Sequence, residues 1–69
     1  MRLKGTTEAG QIYWLHETET RGYEWVISEA SASDMPTRLA ELYLRKILAN
    51  NRHLEREDRI EVTLVKDRH

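Results

Sequence analysis

Residues 16–29 hold His16 and four glutamates, Glu17, Glu19, Glu24 and Glu29, the side chains best suited to moving a proton. Acid–base chemistry of the glycosidase kind needs two carboxylates in a cleft, held in unlike environments. Glu17 and Glu24 are expected at offset positions on the outer face of a hairpin. There they read as a solvated acidic surface, not as a catalytic pair. The other histidines are His53 and His69. None of the three has the i, i+4 partner of a helical zinc site, and no pair has zinc-finger spacing. No metal site is expected, and His16 reads as a packed, hydrogen-bonded strand residue. His69 reads as a terminal one. The three glycines, at 5, 10 and 22, form neither a phosphate-binding loop nor a nucleophile elbow. No catalytic activity and no cofactor are expected.

A second kind of chemistry is base stacking. Trp14, Trp25, Tyr13 and Tyr23 fall on neighbouring strands, and sheets of this kind stack unpaired bases. Arg38, Arg45, Arg52, Arg56 and Arg59 are candidate phosphate contacts. The alternative reading is therefore a single-strand nucleic-acid-binding accessory protein using Trp14, Tyr23 and Trp25 with Arg38, Arg45 and Arg52. Against it, the aromatic strands lie in the acidic half of the chain. Residues 1–34 carry a net charge of −3 and residues 35–69 a net of +2, within a total of 11 Lys and Arg against 12 Asp and Glu. A stacking platform normally sits in a positive groove.

The elements that position these side chains follow from periodicity. Met1 and Leu3 alternate with Arg2 and Lys4, a short strand with one buried face. Residues 11–18 and 23–30 are rich in aromatic and β-branched types and read as two strands of a hairpin. A four-residue loop, Glu19–Gly22, sets Thr18 opposite Tyr23, His16 opposite Trp25 and Trp14 opposite Ile27. One face then collects Ile12, Trp14, His16, Tyr23, Trp25 and Ile27 as core. The other carries Tyr13, Leu15 and Val26 beside Glu17, Glu24 and Ser28.

The stretch "SASDMP" opens a helix from about Pro36 to Ala49, capped by Ser33 or Asp34, with Pro36 in the first turn. The expected end lies near Asn50 and Asn51, which tolerate the left-handed C-cap conformation. The helix's apolar arc is wider than the stripe that covers one sheet. "NRHLERED" reads as a loop or one short turn pinned by Leu54. In "RIEVTLVK", Ile60, Val62 and Leu64 alternate with Glu61 and Thr63 as a last strand. The fold class is α+β: a small two-layer domain spanning 1–69, with an antiparallel sheet of three to four strands and one helix on one face, in the order β-β-β-α-β.

Composition narrows the setting. A chain of 69 residues buries only about 60% of its unfolded surface and often needs a further support. The absence of cysteine removes disulfides and thiolate metal sites, and is compatible with a reducing compartment. No run approaches the roughly 18 apolar residues of a membrane span, and "MRLKGTTEAG" lacks a signal-peptide core. A cytoplasmic protein without membrane contact is expected.

The remaining support is association. Tyr13, Leu15 and Val26 on the open sheet face, with Leu44, Arg45 and Leu48 on the outer helix side, exceed what one layer covers. The expectation is a non-catalytic protein–protein interaction module that forms a homodimer and binds or modulates a larger protein. In size and in the strand–loop–helix "EWVISEASASDMPTRLAELYLRKIL", the chain resembles small phage-encoded inhibitors of host enzymes. That resemblance covers element types only and implies a non-catalytic binder.

Overall fold

The computed structural model describes residues 1–20 and 22–66, so His69 lies outside the described residues. Strand β1 (Arg2–Thr7) is followed by β2 (Ile12–Thr18) and β3 (Gly22–Val26). A 3₁₀ turn at Glu29–Ser31 leads to helix α1 (Thr37–Asn51), a second 3₁₀ turn at Arg56–Asp58 and strand β4 (Ile60–Val65). The sheet is antiparallel throughout, with spatial order β3-β2-β1-β4. The last strand thus returns beside the first, and α1 covers one face. The sequence-derived α+β class and element order describe this architecture.

The hairpin register differs from the expected one by a single residue. Thr18 pairs with Gly22, Glu17 with Tyr23, Leu15 with Trp25 and Trp14 with Val26. Gly22 sits at φ +83°, a conformation that glycine alone adopts at no steric cost, and so joins the ladder one position earlier than expected. Because side chains alternate along a strand, the slip turns β2 over relative to β3. Tyr13, Leu15 and Glu17 join Tyr23 and Trp25 on the face under α1, while Ile12, Trp14, His16, Glu24 and Val26 share the outer face. Leu15, expected on an open contact surface, is 0% exposed in the core with Leu3, Met35, Ala40 and Ile47. Trp25 packs against that core as expected, and Trp14 does not. Glu17 and Glu24, expected on one face, are on opposite faces.

Trp14 is nevertheless only 8% exposed. The Arg2 guanidinium lies 5.2 Å from its ring centroid, a cation–π contact. Two tethers pull the 3₁₀ turn Glu29–Ser31 onto the same side. Arg2 Nη1 donates to Glu29 Oε1 at 3.2 Å, and His16 Nδ1 bonds the Ser31 carbonyl at 2.8 Å.

From there the chain crosses to the helix side between β1 and β2. Those strands pair only from Lys4 to Thr6. Beyond that, the Ser33 N–H donates to the Leu15 carbonyl at 3.0 Å, Ser33 Oγ accepts from the Glu17 N–H at 2.8 Å, and the Met35 N–H donates to the Met1 carbonyl at 2.8 Å. Ser33 and Asp34 therefore do not cap α1, because Ser33 fills the sheet gap and Asp34 accepts from the Met1 ammonium. Pro36 occupies the N-cap position itself, and its carbonyl accepts the first helical bond from Ala40. At the other end Asn51 stays helical, and no described non-glycine residue takes a positive φ.

Candidate interaction surface

The side of the molecule bounded by β4 is built by two periodicities. Along β4, Ile60, Val62 and Leu64 point towards α1 and pack against the core. Along α1, Ala40 and Ile47 are buried, which sets Leu44 half-buried and Leu48 further round, on the β4 side. Leu48 remains 49% exposed and lines an open groove of about 420 Å³ with Ile60, Val62, Thr7 and Asn51. Arg56 and Glu8 also line it, with Arg56 Nε 3.5 Å from Glu8 Oε1.

Below Leu48, β4 is an edge strand, and the pairing of β1 fixes its free side. Thr7 spends its N–H on the Gln11 carbonyl and its own carbonyl on the Gly10 N–H, both towards β2. Backbone groups alternate along a strand, so Gly5 and Leu3 also turn to β2, while Thr6, Lys4 and Arg2 turn to β4. Their partners Glu61, Thr63 and Val65 are the ones bonded to β1. Ile60, Val62 and Leu64 must then present their N–H and C=O outward. At Ile60 this is directly visible, because both groups are taken by the Asn51 side chain. Nδ2 donates to the Ile60 carbonyl at 2.8 Å and Oδ1 accepts from its N–H at 3.3 Å. Among the described residues, nothing in the sheet covers those of Val62 and Leu64.

The opposite edge is shaped differently. Tyr23 packs edge-to-face on Trp25 at 6.1 Å and on Tyr43 at 5.5 Å. The Tyr43 hydroxyl lies 3.3 Å from both Glu17 Oε2 and the Gly22 carbonyl. Burial raises the Tyr43 pKa above the usual 10.0, and the neighbouring Glu17 carboxylate, its hydrogen bond and Tyr23 add to the effect. A cavity of about 320 Å³ between this cluster and Leu54 is lined by Tyr13, Tyr23, Trp25 and Ile47.

Of the side chains expected to form a contact surface, the structure brings Leu44 and Leu48 to one edge, with Arg45 exposed one turn before Ala49. Tyr13 and Leu15 lie under the helix instead, and Val26 is half-buried on the outer face, away from them. The residues of the stacking reading are separated as well. Tyr23 and Trp25 face α1, Trp14 is covered on the far side, and Arg38, Arg45 and Arg52 are exposed on or at the end of the helix. Among the described residues, neither tryptophan thus presents an open face beside Arg38, Arg45 or Arg52. Sequence reasoning missed the β4 edge and Asn51. The signal for the edge was the clean alternation of residues 60–64, but it named no neighbouring strand.

Among the described residues, no three of His, Cys, Asp and Glu are grouped so as to hold a metal ion, and no helix is long and apolar enough to cross a membrane. No family model, no curated protein and no solved structure matches this chain.

Proposed function

We propose that the protein is a non-catalytic interaction module that works by occupying a surface, first by self-association and then by binding or modulating a larger protein. The observation that carries this reading is the conjunction at β4. An exposed leucine, Leu48, overhangs an apolar groove directly beside strand backbone whose hydrogen-bonding groups face outward. An unprotected edge of this kind is a template for another strand, and soluble proteins usually blunt it. Here Asn51 blunts only its first residue. A larger target would meet what the pair leaves open, including Ile12 on the outer face and Ile27, 72% exposed just beyond β3. This is the kind of binder that the resemblance to phage-encoded inhibitors implies, acting in the cytoplasm.

The test is solution mass by light scattering after size exclusion, over a wide concentration range and at two salt concentrations. A concentration-dependent dimer that salt does not dissolve is expected, and Leu48→Glu should be folded by circular dichroism but monomeric. A parent protein that stays monomeric throughout would refute self-association.

A further inference from the structure

We infer that two copies join antiparallel through β4, around a two-fold axis at Thr63, to form one eight-stranded sheet with both helices on the same side. This rests on the reading that the protein self-associates, and it specifies where and in which register.

The backbone of β4 is self-complementary in one way. With Ile60 engaged by Asn51, the outward groups left are those of Val62 and Leu64, two residues flanking Thr63. Set antiparallel about Thr63, Val62 of each copy lies opposite Leu64 of the other, so that both residues exchange N–H···O=C bonds and every outward group between them is satisfied. The axis then passes through a Thr63–Thr63 pair, neutral and on the outer face, where threonines hydrogen-bond across strands.

Charge distinguishes this edge from β3. By the same alternation, β3 turns the backbone groups of Tyr23 and Trp25 outward, and a symmetric pairing there centres on Glu24. Two glutamates would stand directly opposite at the closest cross-strand spacing, an arrangement that disfavours pairing. On β4 no like charges meet at the axis.

The helices agree with the same axis. Asn51 lies at Ile60, and the start of α1 lies near Met1, at the Val65 end, so α1 runs antiparallel to β4. With about 1.5 Å of rise per helical residue against roughly 3.3 Å in the strand, Leu44 and Arg45 come level with Thr63. Both helices then run antiparallel across the axis. Leu44 and Leu48 of each copy face the gap, and Glu41 of one copy approaches Arg45 of the other.

The chain has no cysteine, so a single introduced one reports the register. Thr63→Cys should form a covalent dimer under mild oxidation, because directly opposite residues of a non-hydrogen-bonded pair lie about 4.5 Å apart at Cα, within disulfide range. Glu24→Cys, on the other edge, is the control. At micromolar protein the Thr63→Cys crosslink should form at least about tenfold faster than the control, since the paired thiols see a millimolar effective concentration. Light scattering of both reduced variants, with circular dichroism, checks that they fold and associate like the parent. A dimer that crosslinks through Glu24→Cys, or through neither, overturns the β4 pairing and leaves self-association standing. A monomer overturns both.

Discussion

Asn51 and Ile60 are joined as two strand residues would be, with one side-chain amide giving and taking a hydrogen bond at 2.8 and 3.3 Å. The helix thereby ends by gripping the start of β4 and closing the first position of its free edge. Replacing Asn51 with Ala removes both bonds and should lower stability by about 1–3 kcal/mol. Asn51→Asp keeps the acceptor but sets a carboxylate oxygen against the Ile60 carbonyl, so it should be at least as damaging as the alanine. Urea unfolding of the two variants beside the parent gives the order.

Gly5 is required for the packing above it. A Cβ on Gly5 would meet the Ile60 side chain and come 2.9 Å from Trp25 Cζ3. The Ile60 side chain has a flexible end, but the indole is rigid and lies on the core, so it cannot move without disturbing the layer under α1. Gly5→Ala should destabilise the domain by roughly 1–3 kcal/mol despite the better strand propensity of alanine. An unchanged urea midpoint would show that Trp25 does not lie over β1.

Tyr43 sets an alkaline limit. Its folded pKa is raised above 10.0, first by burial and then by Glu17. The favoured folded form is the neutral phenol, so its stabilisation is complete below pH about 10 and is lost as pH rises through the folded value. Tyr43→Phe should lose about 0.5–1.5 kcal/mol at neutral pH with the hydrogen bond. The parent's stability should then fall towards the variant's above pH 10, as thermal melts across that range would record.

Leu15 and Val26 should respond differently to the same substitution. Leu15→Glu buries an unpaired charge among Leu3, Met35, Ala40 and Ile47 and should cost roughly 4 kcal/mol or more, unfolding most of the chain. Val26→Glu lies on the outer face and should leave a folded domain. Trp14→Ala, though on that same face, should cost roughly 3–5 kcal/mol because the ring is covered. Circular dichroism and denaturant titration separate the three.

The contrast between those residues shows what was legible in the sequence. The order of elements and the inward side of β4 were readable because residues 60–64 alternate cleanly and the helix has a continuous apolar arc. The face of β2 was not, because Ile12 and Trp14 on one side rival Tyr13 and Leu15 on the other, and hydrophobic pattern alone does not choose between them. The choice falls to loop geometry at Gly22, whose positive φ shortens the connection by one residue. The cover over Trp14 was equally hidden, since it depends on Glu29 and Ser31 folding back to meet Arg2 and His16. Of the candidate surface, Leu44 and Leu48 were visible as surplus apolar residues. The edge beside them became visible only once β4 was placed next to β1.

That placement also bears on the order of folding. β1 pairs with β4 along its whole length, Arg2 against Val65, so the first and last strands wait for each other across nearly all of the chain. Neither the hairpin β2–β3 nor α1 can close the sheet without this distant contact, and the N-terminal end of β1 is held in turn by the crossing segment, through Met35 on Met1. A topology that closes through such a non-local pairing folds more slowly than a helical bundle of equal length. Until β4 docks, the open flank of β1 exposes the very backbone groups that it later covers. A nascent chain is then most open to joining the wrong neighbour in the interval before its own last strand arrives.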